Sequence, residues 1–153
     1  MRKVVLGLAL VGAVALLAGC TQALVVEPAP YAADPDCARV MLAMPPSVGG
    51  LDVRGTTSQA TSAYGDEYPI VVRCGVEPPG PTTEACVAVA ADGVDQDWVV
   101  VEDGDSWRAV AFGRSPALEV LIPSVRAQEA VGDVLAELSG PAALAPRNGL
   151  ECK

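Results

Sequence analysis

Short apolar runs separated by turn-forming residues fill the middle and the second half of the chain. Such runs are typical of β-strands, and they occur at 70–74, at 86–91, on either side of Asp103-Gly104 and at 117–122. Asp92-Gly93 and Asp103-Gly104 are dipeptides of two-residue hairpin turns, which tolerate positive φ, and residues 113–116 form a longer turn. The pattern predicts an antiparallel meander of four or five strands.

The positions of these turns determine which residues face each other. A two-residue turn at Asp103-Gly104 places Val100 opposite Trp107, and the turn at 113–116 places Leu118 opposite Ala111. One face of the sheet is then wholly apolar, with Trp98, Val100, Trp107, Ala109, Ala111, Leu118, Val120 and Ile122. A slip of one residue would reverse every side chain. The agreement of two turns therefore supports the sheet, and we expect both tryptophans in the core rather than on a ligand surface.

Helix signals flank the strands. Asp34 is a predicted N-cap before Pro35, and Pro45-Pro46 ends this first helix. Ser124 is the predicted start of a second helix, which Gly140-Pro141 ends.

Residues 47–68 are polar and long for a structureless loop, so they contain a short strand near 51–54 or a functional loop. The expected fold class is α+β, with the two helices on the apolar face of the sheet and the domain stapled by disulfides.

The N-terminus has the layout of an export signal. Arg2 and Lys3 precede the apolar run 4–18, which at 15 residues is shorter than the roughly 20 needed to span a membrane. Leu17-Ala18-Gly19-Cys20 resembles a lipobox, whose cysteine receives a diacylglycerol and becomes the first mature residue. A plain signal peptide or an uncleaved anchor leaves this cysteine unexplained.

These features predict the organisation of the whole chain. We expect a removed signal peptide at 1–19, a lipid-anchored tether at 20–33 and a single domain at 34–153. The two acyl chains on Cys20 would anchor the protein stably to the cell membrane, on its extracellular face.

Four cysteines remain for the domain, namely Cys37, Cys74, Cys86 and Cys152. An even number in an exported chain predicts disulfides, with three possible pairings. We favour Cys74–Cys86, which closes a short loop, together with Cys37–Cys152, which joins the two ends of the domain.

Composition narrows the classes of function. Beyond residue 19 the chain has eight basic and 19 acidic residues, a formal charge of −11, so we expect no nucleic-acid partner. The absence of histidine excludes Ser-His-Asp and Cys-His sites and the usual zinc spacings. Asp92, Asp95 and Asp97 lack the spacing of an EF-hand calcium loop. We therefore expect no catalytic residues, no metal and no cofactor, with carboxylates as the only candidate catalysts.

Several short motifs, in order, resemble a family of small secreted lipoproteins from high-GC Gram-positive bacteria that is known only as a domain of unknown function. They cover about residues 35–152 and are Cys37, Tyr64-Gly65-Asp66, Arg73-Cys74-Gly75, Cys86, Gly93-Val94 with Trp98, Gly113-Arg114-Ser115-Pro116 and Cys152. Tyr64 stands where the family is expected to have tryptophan. The resemblance implies the location and the cysteine framework, and it implies no activity.

The function expected from these observations is that of a non-catalytic cell-envelope lipoprotein that binds a protein or an envelope ligand near the membrane. The alternative is a cell-wall or envelope hydrolase that uses paired carboxylates. Tyr64, Asp66, Arg73 and Arg114 form the candidate ligand surface, because arginines on an acidic protein can bind anions. Local salt bridges are the competing interpretation of the two arginines.

Overall fold

One antiparallel sheet of eight strands forms the centre of the protein. The computed structural model describes residues 22–153, except the side chains of 127–130. The strands are β1 (Ser47–Val48), β2 (Leu51–Arg54), β3 (Thr61–Tyr64), β4 (Ile70–Val76), β5 (Cys86–Ala91), β6 (Val94–Asp103), β7 (Ser106–Phe112) and β8 (Ala117–Pro123). Their order in the sheet is β1-β2-β3-β4-β8-β7-β6-β5. Two four-stranded meanders therefore meet where β4 pairs with β8.

The prediction of four or five strands was wrong, because it missed β1 and β3 of the first meander. Strands β1, β2 and β3 are only two to four residues long, and their exposed and buried residues do not alternate. Such strands leave no period in the sequence. The strand anticipated near 51–54 is present as β2.

The predicted register is confirmed for one hairpin and displaced by two residues in the other. Ala109 faces Val120, as the turn at 113–116 predicts. Val100 faces Ala109 instead of Trp107, because Asp103 pairs with Ser106 and the turn residues are Gly104-Asp105. A displacement of two keeps every side chain on its face. All eight predicted apolar residues accordingly contribute to the core or, for Trp107, pack against it.

Helix α1 (Pro35–Leu42) begins as predicted, with the Asp34 carboxylate accepting a hydrogen bond from the Asp36 N–H at 2.8 Å. A 3₁₀ turn (Ser124–Arg126) leads into α2 (Ala127–Ala142). The predicted end at Gly140-Pro141 was wrong, because α2 continues through the proline to Ala142. Burial of Leu138, Ser139 and Ala142 holds this last turn in place despite the backbone donor that proline lacks.

Both helices supply side chains to the same core cluster as the apolar face of the sheet. Trp98 is fully buried there, and its indole N–H donates to the hydroxyl of Ser139 on α2 at 3.2 Å. Ser139 in turn donates to the Leu135 carbonyl at 2.7 Å. The polar edge of the largest core residue is thus satisfied inside the cluster, as burial requires.

The four domain cysteines form two disulfides, but the favoured pairing was wrong. The bonds are Cys37–Cys74 and Cys86–Cys152. Cys74 and Cys86 were expected on neighbouring strands, whereas β8, β7 and β6 lie between β4 and β5. Four strand spacings amount to about 19 Å, which is beyond the reach of a disulfide. The Pro-rich segment 77–85 therefore connects β4 to β5 across three intervening strands and is not a hairpin loop.

Residues 22–33 cover part of the face of the sheet opposite the helices. Residues 22–33, which were expected to be a tether, pack on this outer face with Val26, Ala29 and Ala32 buried. The Tyr31 N–H donates to the Gly75 carbonyl at 2.8 Å where this segment crosses β4. Gly75 has φ +98°, and a Cβ there would lie 2.4 Å from the backbone of Tyr31. Glycine is thus required for the crossing.

The antiparallel register gives the sheet two distinct ends. We call the first the Tyr68 end, formed by the turns at 49–50, 65–69 and 104–105 and by Ser124–Arg126. The opposite, Arg114 end is formed by the turns at 92–93 and 113–116 and by the tail 146–152. Among the described residues, no helix is long and apolar enough to cross a membrane. The segment 1–19 and Cys20 lie outside the described residues.

Candidate functional site

A cleft lies at the Arg114 end, between the start of β6 and the C-terminal tail. Its volume is about 310 Å³. The wall on the sheet side includes Asp95, Gln96 and Asp97, and the tail supplies Arg147 and residues 149–152. A second cavity of about 710 Å³ shares Phe112 and residues 149–152 with the cleft. The tail therefore lines two concave surfaces.

Gly113 permits the close approach of the tail that creates this cleft. Gly113 follows β7 with φ +75°, and a Cβ at this position would lie 2.3 Å from the carbonyl oxygen of Leu150. The Asn148 N–H donates to the Gly113 carbonyl at 3.0 Å, and Arg114 and Arg147 form an isolated antiparallel bridge. The Cys86–Cys152 disulfide fixes the end of the tail to β5. The cleft is thus held by covalent and backbone contacts on both sides.

Arg114 is the buried cation of this cleft, with 7% of its surface exposed. Its Nε donates to the amide oxygen of Gln96 at 2.8 Å. Its Nη1 donates to the carbonyls of Ala143 and Ala145 at 2.9 and 3.0 Å. All three acceptors are neutral, and no carboxylate of the described residues lies within ion-pair distance. Within the described part of the chain, dipoles solvate the guanidinium charge and no carboxylate neutralises it.

The remaining nitrogen of Arg114, Nη2, makes no hydrogen bond to the described residues. No fully buried side-chain nitrogen or oxygen among those residues lacks a partner, and Arg114 lines the cleft. Nη2 carries two N–H groups. They can donate to an acceptor placed in the cleft.

The electrostatics around the Arg114 guanidinium also favour an anionic partner for this group. Burial, followed by the nearby positive charge of Arg147, lowers the pKa of Arg114 below its ordinary value. An anion placed near both guanidiniums would offset this unfavourable interaction at Arg114. The carboxylates of the cleft are partly engaged elsewhere. Asp97 accepts a hydrogen bond from the Cys152 N–H at 2.7 Å, and Glu151 lies 3.7 Å from Arg147.

The structure does not bring the four candidate ligand residues together. Tyr64 is fully buried, and its hydroxyl donates to the Pro45 carbonyl at 3.1 Å. Burial raises the pKa of Tyr64 above the ordinary 10.0. Asp66 lies at the Tyr68 end, and Arg114 lies at the opposite end of the sheet. The interpretation of Tyr64 as a surface residue was therefore wrong, because its ring fills the core beside β4.

The two candidate arginines have different roles. Arg73 forms an ion pair with Glu119 across β4 and β8, with an Nη2–Oε2 distance of 2.5 Å, so the salt-bridge interpretation is correct for Arg73. Arg114 has no such partner within the described residues. The sequence offered no signal for Gln96 or Arg147, because their proximity to Arg114 depends on the folded tail. The described residues also contain no group of three or more acidic or cysteine side chains that could hold a metal ion.

The fold and the cleft define a small, disulfide-stapled α+β domain with a ligand-sized concavity at one end of its sheet. A family model described as "Protein of unknown function (DUF3515)" matches residues 4–144. The chain belongs to this family. Comparison with the curated proteins and with the solved structures gave no match.

Proposed function

We propose that this protein is a non-catalytic lipoprotein of the cell envelope, and that the cleft at the Arg114 end binds a ligand through an anionic group. The observation that carries the proposal is the buried Arg114 guanidinium, which is not neutralised by a described carboxylate and keeps Nη2 available in the cleft. Carboxylate and phosphate share the required chemistry, because both accept charge-assisted hydrogen bonds from a guanidinium. The ligand is an envelope component, either a protein or a small molecule.

The cellular location follows from Cys20. A diacylglycerol on this thiol would hold the protein on the extracellular face of the cell membrane. The two disulfides suit such an oxidising location. The near absence of lysine and isoleucine supports a GC-rich bacterial source, since only Lys3, Lys153, Ile70 and Ile122 occur. Replacement by Cys20→Ser should release the protein from the membrane fraction, and full retention would contradict lipid anchoring.

Ligand binding can be tested with two simple probes, inorganic phosphate and acetate. We expect a saturable change in the NMR signals of the Arg114 Nε–H and of the Gly149 amide at constant ionic strength. Arg147→Ala should weaken binding by about tenfold, since it removes one of two cations. Because Arg147 is 67% exposed in its side chain, the variant should fold normally. Arg39→Ala, at an exposed site on α1, is the matched control and should bind as the parent does.

Two results would contradict the binding proposal. One is that neither phosphate nor acetate gives a saturable change, and the other is that Arg147→Ala binds both probes as well as the parent does. A shift that also follows chloride at equal ionic strength would indicate screening of charge instead of a site.

The carboxylate hydrolase is the alternative function. Asp95 and Asp97 both line the cleft, but Asp97 already accepts the Cys152 N–H. Incubation of the purified protein with isolated envelope polymers distinguishes the two proposals. Release of soluble fragments that stops in Asp95→Asn would favour the hydrolase, whereas we expect no release.

A further inference from the structure

The first described residues are fixed to the sheet instead of extending away from it. Leu24 bridges Thr56 in parallel, with its N–H donating to the Gly55 carbonyl at 2.8 Å. The Thr57 N–H donates to the Leu24 carbonyl at 3.0 Å. Two residues before Leu24, the Gln22 carbonyl accepts a hydrogen bond from Nη2 of Arg54 at 3.0 Å. The chain is therefore anchored to the domain from residue 22 onward.

Only two peptide steps separate Gln22 from Cys20. Covalent geometry limits the distance between their Cα atoms to about 7 Å. A free tether of thirteen residues, by contrast, would reach about 45 Å. A lipid on the thiol of Cys20 would then begin close to the surface that Gln22 contacts.

We propose that the domain rests directly on the bilayer, with the β3–β4 side of the Tyr68 end against the lipid surface. This inference rests on the proposed lipidation of Cys20. The docked segment runs along the outer face from Gln22, beside Arg54, toward Gly75 near the opposite end of β4. The lipid attachment point is therefore close to the Tyr68 end.

The surface around this attachment point has the composition of a membrane interface. Arg54 also donates through Nη1 to the Asp66 carbonyl at 3.3 Å, which joins Gln22 to the turn at 65–69. Arg126 donates through Nε to the Tyr68 carbonyl at 2.6 Å and also binds the Glu67 carbonyl. Tyr68 is 63% exposed, and Val125, beside Arg126, is 62% exposed. Exposed aromatic and aliphatic side chains among arginines are typical of contact with lipid headgroups.

The balance of charge also favours this side of the domain. Arg54 and Arg126 lie beside Asp66 and Glu67, and the Glu137 carboxylate lies at the 49–50 turn of the same end. Asp103 and Asp105 belong to the same end but lie toward β7 and β6, beyond β8. They favour contact through the β3–β4 side.

This orientation directs the Arg114 cleft away from the membrane. Asp103 and Asp95 occupy opposite ends of β6, eight residues apart. At about 3.3 Å per residue, the strand places the cleft roughly 25 Å above the turns of the Tyr68 end. A ligand in the envelope would reach the cleft without approaching the lipid surface.

Hydrogen exchange tests the contact on the lipidated full chain in vesicles of phosphatidylcholine with a minor fraction of phosphatidylglycerol. The reference is the unlipidated Cys20→Ser protein with the same vesicles. We expect the amides of 65–68 and 124–126 to exchange at least about threefold more slowly in the lipidated protein. The amides of 91–94 and 147–151, at the Arg114 end, should exchange equally in both proteins.

Two variants of the lipidated chain make the test specific. A ten-residue Gly-Ser insertion after Thr21 should keep the protein in the vesicles and abolish the slower exchange. The double variant Tyr68→Ser and Val125→Ser should do the same, whereas Leu144→Ser, at an exposed apolar residue of the Arg114 end, should not. Equal exchange in the vesicle-bound and unlipidated proteins would overturn this inference while leaving lipid anchoring intact. A parent protein that does not enter the vesicle fraction at all would overturn both.

Discussion

The Nε–H of Arg114, in the turn before β8, donates to the amide oxygen of Gln96 on β6 at 2.8 Å. Through Nη1 the same guanidinium holds the carbonyls of Ala143 and Ala145, just after α2. One side chain thus joins the sheet, the end of the second helix and the tail. The cleft depends on this arrangement because the tail forms its outer wall.

Arg114→Lys tests the importance of the forked geometry. An ammonium group cannot reproduce the arrangement of the guanidinium donors, so Gln96 and the two carbonyls lose hydrogen bonds to a charged group. We expect the free energy of unfolding to fall by about 2–3 kcal/mol in urea denaturation. Arg39→Lys is the control, because Arg39 makes only an exposed ion pair with Asp36 and should change stability by less than about 0.5 kcal/mol. Equal stability of the two variants would contradict the assigned role of Arg114.

Gly75→Ala tests the crossing of the N-terminal segment over β4. The new Cβ would meet the backbone of Tyr31 and Ala32, and the positive φ adds strain. We expect a loss of about 2–4 kcal/mol, with faster proteolysis of residues 22–33. Gly104→Ala, at φ +60° with nothing within 4 Å of the new Cβ, isolates the backbone strain and should cost about 1 kcal/mol. Similar losses in both variants would show that the segment does not pack on Gly75.

The disulfide connectivity can be read from peptides of the unreduced protein. We expect one pair of linked peptides to contain Cys37 with Cys74 and another to contain Cys86 with Cys152. The bonds span 37 and 66 residues, so loop-closure entropy suggests about 4 kcal/mol of stabilisation from each. The double variant Cys37→Ser and Cys74→Ser should lose about that amount. Recovery of a Cys74–Cys86 peptide would contradict the strand order.

The burial of Tyr64 predicts that the free energy of unfolding falls at alkaline pH. Its pKa in the folded protein is raised above 10.0 by burial, so the unfolded chain loses this proton first. Its contribution to stability is constant below about pH 10 and falls as the pH rises further. Tyr64→Phe should lessen this alkaline loss, measured by urea denaturation between pH 8 and 11. The neighbouring Glu77 carboxylate also raises the pKa of Tyr31, so Tyr31→Phe measures how much of the alkaline loss an exposed tyrosine contributes.

The second meander and the start of α1 could be predicted because their signals are local. The turn at 113–116 and the cap at Asp34 act within a few residues, whereas the predicted helix start at Ser124 was wrong, because Ser124 begins a 3₁₀ turn and α2 begins only at Ala127. The β6–β7 hairpin is displaced by two residues, yet its side chains keep their predicted faces. The alternation of apolar and polar residues therefore predicts which face a side chain occupies more reliably than it predicts the residue opposite.

The first meander, the disulfide pairing and the cleft depend on contacts between distant parts of the chain. Strand β3 acquires its place by pairing with β4, and its four residues contain no period of their own. Cys86 meets Cys152 only because the tail crosses Gly113. Arg114 stood out in the sequence as a cation on an acidic chain, but its neutral partners come from β6 and from the end of α2. Sequence alone therefore identified one residue of the cleft and missed its surroundings.

The most direct test of the central claim is photo-crosslinking in intact cells from within the cleft. A photoreactive aromatic residue replaces Glu151, an exposed part of the cleft wall, or Asp133, an exposed residue of α2 outside it. Intact mass spectrometry and gels then reveal adducts of any size. We predict an adduct from position 151 that is lost in Arg147→Ala and is absent from position 133. The same adducts from both positions, or an adduct at 151 that is unaffected by Arg147→Ala, would contradict ligand binding in the cleft.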